Sequence, residues 1–305
     1  MNRLQANLCL ICVTLCWSAE VIIYACIPDD FLPFATTAVT NAVAAIILAA
    51  CFFKRLKAEV KRSSIKLILR CLLLGVLNCV YNTLYLYGLT YLDVSTGAFT
   101  FSMTIVVLPV ILLTMKKTVT KKTWISVALA LSGIVVALGS NLANTQITSI
   151  LIMLLGCIVR ASFIVKLNDY AKEHDAVTLS VLISAFVAVI SFIIWFVLQP
   201  ATFGAIHWSG TVIATLFIYS YFIIVFAQTL NIFAQKRATA AGATIIYSLE
   251  IAFSLIWGAI LPVSLVDRVI PSPIRIVGAL LIVAGSMIEI IDFSGRRRGQ
   301  IHVSQ

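Results

Sequence analysis

The chain is expected to be an all-α polytopic membrane protein with ten transmembrane helices arranged as two inverted five-helix repeats. Three observations lead there. Of 305 residues, 61% are hydrophobic and 11% charged, where an ordinary soluble domain has about a quarter charged. The apolar residues gather into ten runs, each near the roughly 20 residues that cross a bilayer. The basic residues between the runs fall almost wholly on one side when the chain is threaded back and forth. A chain with mean hydropathy +1.07 has too little polar surface to cover a soluble core. A soluble enzyme, a disordered chain and a nucleic-acid-binding domain are therefore excluded, although the isoelectric point is near 9.3.

The runs, in order, are Leu4–Ile27, Phe34–Phe53, Ile65–Leu89, Ser95–Met115, Thr123–Ser140, Ile147–Lys166, Ala176–Leu198, Thr211–Phe233, Ala238–Leu261 and Pro273–Ile291. The first is longer than a signal-peptide core, lacks a clean A-x-A site and ends at Pro28-Asp29-Asp30, so it reads as a retained span. The third and fourth are parted only by a short turn, Thr90–Val94, marked by Asp93. The links are short and leave no soluble domain.

With the amino terminus inside, the cytoplasmic side collects Arg3, the Lys54–Lys66 cluster, Arg70, Lys116, Lys117, Lys121, Lys122, Lys166, Lys172, Lys236, Arg237 and Arg296–Arg298. The opposite side has only Arg268 and Arg275, and Arg160 is left within a span. That asymmetry fits an even number of spans with both termini cytoplasmic, and a single miscounted span would scramble it. The expected location is the cell's inner membrane.

Of eight cysteines, all but Cys26 and Cys51 lie well inside apolar runs. They act there as small apolar residues, and a disulfide framework is not expected. Cys9, Cys12 and Cys16 share one helical face, a weak metal signal.

An internal repeat is faintly legible. Thr83/Thr229, Leu84/Leu230, Ser102/Ser248 and Ile105/Ile251 match at one offset, and Gly133/Gly285 matches after about six extra residues in the second copy. Leu15-Cys16-Trp17-Ser18-Ala19-Glu20 pairs with Ile158-Val159-Arg160-Ala161-Ser162-Phe163. Five spans per half would insert the second copy upside down relative to the first. The division is then 1–145 for the first repeat, 146–292 for the second and 293–305 for a basic cytoplasmic tail.

Several stretches carry a family resemblance. They are Leu15-Cys16-Trp17-Ser18, the segment from Tyr87 to Phe99 running on to Leu108-Pro109, Ser248-Leu249-Glu250-Ile251-Ala252-Phe253 with Gly258, and Gly278 to Gly285. In their order and spacing the chain resembles the drug/metabolite transporter superfamily, in particular its EamA-type ten-helix permeases. It departs from the family at Met115-Lys116-Lys117 and Pro262-Val263, where Gly-Glu is common. A basic residue is absent near Thr40-Asn41, and Arg160 stands at the second tryptophan position. The resemblance implies carriage of a small organic metabolite, amino acid-like or amine/drug-like, by alternating access, in the direction of export and with protons as coupling partner.

A charge in hydrocarbon costs several kcal/mol, so charges deep in spans face a cavity or a partner. Glu20, Arg160 and Glu250 qualify. Glu289 and Asp292, at the tail of the last span, are expected at the interface. Ala19-Glu20-Val21-Ile22 also resembles the first helix of small multidrug resistance transporters, whose glutamate takes a proton or a cationic drug in turn. Arg160, repeat-equivalent to Trp17, is expected to face the same space and attract a carboxylate or phosphate. Together they suit a zwitterion. The competing readings are an acid bonded to a neighbouring helix, an Arg160 that only ties the bundle or snorkels toward Lys166, and a Glu250 bonded to Ser248 or Ser254. Tyr81, Tyr85, Asn78 and Asn82 lie on the third span, the asparagines one turn apart, and are candidates for a cavity wall. Aromatics are plentiful in the third, fourth and eighth spans, Tyr87, Phe99, Phe101, Tyr219, Tyr221 and Phe222 among them.

His174 is placed in a solvated loop spanning Asp169–Asp175, His207 at the outer interface beside Trp208, and His302 in the tail. No metal constellation, nucleotide motif or cofactor is expected, nor a nucleic-acid partner. The partners are a small-molecule substrate, the lipid bilayer and protons, and the sequence does not fix an oligomeric state. The rival readings are a passive facilitator and, further off, an intramembrane enzyme or receptor.

Overall fold

A computed structural model describes residues 2–20, 23, 26–27, 33–89, 100, 102–138, 147–204, 206–260 and 272–291. The Thr90–Val94 turn, Pro28–Asp30, Phe99, Phe101, Arg268, Asp292 and the tail 293–305 lie outside these residues. The described chain is helical: α1 (Arg3–Ser18), α2 (Pro33–Cys51), α3 (Phe53–Leu89), α4 (Thr104–Thr114), α5 (Lys121–Leu138), α6 (Ile147–Glu173), α7 (Ala176–Leu198), α8 (Gly210–Gln235), α9 (Ala240–Tyr247), α10 (Leu249–Ile260) and α11 (Pro273–Ile290). Among the described residues there is no strand.

Each apolar run holds helix, and the run Ala238–Leu261 holds two, α9 and α10. Six of the described helices are long and apolar enough to cross a membrane: Phe34–Cys51, Ile65–Tyr85, Thr148–Glu173, Ala176–Leu198, Gly210–Gln235 and Pro273–Ile290. The chain is an integral, multi-pass membrane protein. Starts are fixed by side-chain caps that satisfy the free amides of a first turn. Asn2 and Gln5 form a reciprocal capping box at 2.8 Å. Asp175 caps α7, Ser209 caps α8 and Thr239 caps α9.

One expectation needs correction. The basic Lys54–Lys66 link is helix and not loop: only a turn at Phe52 separates α2 from a 37-residue α3. Phe53 to Leu74 contains no glycine or proline, and its lysines, arginines and leucines are strong helix formers. At the end of the last span, Glu289 is 3% exposed. The starts of α1 and α5 converge on the end of α11. Arg3 Nη2 and Thr123 Oγ1 each stand 3.4 Å from its carboxylate, and the Lys122 ammonium meets the carbonyls of Glu289 and Ile291 at 2.8 and 2.7 Å. A cation at the end of a helix answers its free carbonyls.

α2 packs along α7, α3 along α6 and α7, and α5 along α11. The α5–α11 seam is close because glycines line it. A Cβ on Gly133 would stand 2.9 Å from Ile282 Cγ1, and one on Gly285 would stand 2.7 Å from the Ser126 carbonyl. Without a hydrophobic force between helices in lipid, such close packing carries much of the association. Gly133→Leu is expected to destabilise the protein by about 1–3 kcal/mol or more, as overpacking does. Val135→Leu, at a position 57% exposed, is expected to be neutral. Thermal unfolding in detergent compares them.

Candidate functional site

Residues from α1, α2, α3, α6, α7, α8, α9 and α10 enclose a central cavity of about 490 Å³, a size suited to a small organic ligand. All eight residues singled out from the sequence lie on its wall: Trp17 on α1 and Glu20 just past its end; Asn78, Tyr81, Asn82 and Tyr85 on α3; Arg160 on α6; and Glu250 on α10. Residues far apart in the chain meet because apolar helices turn their polar stripes inward.

α3 presents its polar stripe at helical spacing. Asn82 Nδ2 donates to Asn78 Oδ1, and Asn78 Nδ2 donates to the Tyr81 hydroxyl, each at 2.9 Å. The Tyr81 ring packs on Phe163 at 5.5 Å between centroids. Opposite, Trp17 packs on Tyr247 at 5.2 Å, and Trp257 Nε1 donates to Ser18 Oγ at 2.9 Å. The cavity thus has aromatic walls with polar tips.

The charges are disposed unevenly. Glu20 accepts a hydrogen bond from the Tyr219 hydroxyl of α8. Arg160 and Glu250 share a small polar recess of about 20 Å³ with Ser102, Thr104, Thr244 and Ser248, and Glu20 lies within electrostatic reach of both. Ser248 and Ser254 give their own hydroxyl protons to the Ile245 and Ile251 carbonyls, at 2.6 and 2.9 Å. Arg160 lines the cavity. One cationic and two acidic side chains therefore surround one space, a disposition able to hold a ligand bearing both signs.

In the sequence Tyr219 stands out only as an aromatic, Gln228 only as the opening of a Thr-Leu stretch that repeats Asn82-Thr83-Leu84, and Asn231 and Tyr247 not at all, yet each of the four is on the wall. Amides inside apolar helices are the available signal for two of them. Tyr219 and Gln228 reach the wall because Ser220–Gln228 is wound as a π-helix. Its wider turn, a feature frequent at functional sites, aligns residues 219, 223, 224 and 228. Tyr221 and Phe222 point outward, 46% and 51% exposed.

Residues 4–139 match the EamA-like transporter family, within the drug/metabolite transporter superfamily. No curated protein matches the chain by sequence. Among solved structures, 28 chains match. One, described simply as "Crystal structure of protein", has TM-score 0.73 at 15% identity over 97% of this chain and 99% of its own, a likeness of fold.

Proposed function

From a chain whose residues 4–139 match the EamA-like transporter family, we propose a secondary transporter that carries a small organic metabolite across the membrane by alternating access. It consists of two inverted five-helix repeats, 1–145 and 146–292. It sits in the cell's inner membrane with both termini and the tail 293–305 in the cytoplasm. The helix contacts support that division, because they survive exchange of the halves. α1 packs on α8 and α9, as α6 packs on α3 and α4. α2 meets its counterpart α7, and α5 its counterpart α11. The repeat-related Gly133 and Gly285 lie in that last seam, and Ser102 and Ser248 share one recess.

The substrate class we propose is a zwitterion of amino-acid size. Its carboxylate meets Arg160, and its amine meets Glu20 or Glu250. The observation that carries this is the presence of Arg160, Glu20 and Glu250 on one cavity wall. Two acids also allow one to take a proton while the other keeps its charge, so export in exchange for protons fits the same wall. The family is one of transporters, and catalysis is no part of the reading.

The test is flux in proteoliposomes for a panel of amino acids, amines and organic anions, with and without a pH gradient. Saturable flux of zwitterions is expected. Flux confined to cations and unaltered by Arg160→Ala would overturn the substrate assignment.

A further inference from the structure

α6 continues past the cavity, and its last two turns hold a set of polar contacts that substrate binding does not use. Asn168 is 4% exposed and Gln235 fully buried. Asn168 Nδ2 lies 2.6 Å from Gln235 Oε1 and 3.0 Å from the carbonyls of Gln235 and Ala238. Gln235 Nε2 donates to the Tyr247 hydroxyl at 2.8 Å, which donates to Asn231 Oδ1 at 2.5 Å. Tyr247 and Asn231 line the cavity, so this amide–phenol network is its floor. One turn further along α6, Lys172 Nζ reaches Asn168 Oδ1 at 2.7 Å.

Around the floor stand ion pairs made by the same stretch of α6. Asp169 receives both bonds of Lys117 at 2.8 Å. Lys117 is aimed there by a turn: Lys116 adopts a left-handed φ of 57° and the Lys117 amide bonds back to the Leu112 carbonyl, the usual helix-ending geometry. One turn further on, Glu173 pairs with Arg70. His174 is not in a solvated loop: it lies between Arg70 Nη1 at 2.8 Å and Glu59 Oε1 at 3.4 Å, and the Arg70 guanidinium covers the Tyr170 ring at 4.7 Å.

We infer that the cytoplasmic end of α6, from Asn168 to His174, is the cavity's cytoplasmic gate, with Asn168–Gln235–Tyr247 as the seal and the Lys117–Asp169 and Arg70–Glu173 pairs as the latch. The chemistry suits a gate. The amides and the phenol pair donor to acceptor, so the floor closes on itself with no carboxylate in the seal. Polar partners separate into water far more easily than an interlocked apolar core, because water replaces each broken bond. The latch pairs are partly exposed, and such pairs are individually weak. The contacts also join α6 to the α4–α5 link, the α8–α9 link and α3, segments of both proposed halves. The inference rests on the transporter reading for its purpose, but its test needs no substrate.

The experiment places a reporter, Leu167→Cys, at the cavity floor in a protein freed of its eight native cysteines. Labelling by a membrane-impermeant thiol reagent is timed from the cytoplasmic face of oriented vesicles. Gln235→Ala is expected to raise that rate about tenfold or more, with no rise from the opposite face. Lys117→Asp alone or Asp169→Lys alone is expected to raise it, and the two together to restore it. The swap pair keeps the inference falsifiable should Gln235→Ala fail to fold. An unchanged rate in folded variants, or a double swap no slower than either single, would overturn the gate. Failure of the flux panel alone would overturn the transport reading and leave these rates standing.

Discussion

Replacing Arg160 with alanine is expected to remove carriage of carboxylate-bearing substrates while the helices stay assembled. The guanidinium opens onto the cavity within the recess it shares with Glu250. Removing a charge-assisted hydrogen bond from such a desolvated site costs about 2–5 kcal/mol, which is a fall of about 30-fold or more in flux at limiting substrate. Arg160→Lys keeps the charge without the planar fork and should fall between. The decisive comparison is initial flux of a zwitterion against its carboxyl-blocked ester. The unaltered protein should prefer the zwitterion, and Arg160→Ala should abolish the preference.

A purely bundle-holding Arg160 gives a different pattern. Its removal would leave Glu250 without its neighbouring cation, and the protein would melt early. Arg160→Ala combined with Glu250→Gln would then regain both stability and flux. Under the binding role Arg160→Ala keeps its stability, and flux stays lost in the pair. Melting temperature in detergent, read beside flux, separates the two.

Much of this architecture is legible in the sequence because lipid imposes simple rules. Apolar runs without sustained charge form helices, and Ala176–Leu198 coincides with α7 because Asp175 caps its start and a proline follows its end. Buried charges are equally plain: Glu20, Arg160 and Glu250 stand out against apolar neighbours and reach one wall. Neutral polar residues are harder. Asn168, Asn231 and Gln235 are single amides in long helices, and only three-dimensional convergence turns them into one network. For Glu289, position along the helix gives depth but not facing. Its burial comes from α1 and α5 closing over the end of α11. The π-helical winding of Ser220–Gln228 has no sequence mark at all in its run of aromatic and branched residues.

Glu20→Gln is expected to uncouple transport from the proton gradient without stopping substrate exchange. The amide keeps the side chain's size and an oxygen acceptor for the Tyr219 hydroxyl, but it has no charge to gain or lose. A proton moving down a one-unit pH gradient supplies about 1.4 kcal/mol, a tenfold concentration ratio. Gradient-driven accumulation should therefore collapse to equilibrium in Glu20→Gln, while counterflow of labelled against unlabelled substrate continues. Tyr219→Phe removes the donor and leaves the carboxyl able to titrate, so it should shift the pH dependence of flux and keep accumulation. Glu250→Gln separates the two acids: if Glu20 carries the proton, accumulation survives there and affinity for the amine suffers. A passive facilitator predicts that none of the three changes accumulation, because there is none to lose. Accumulation intact in Glu20→Gln and absent in Glu250→Gln would move the coupling role to the recess beside Arg160.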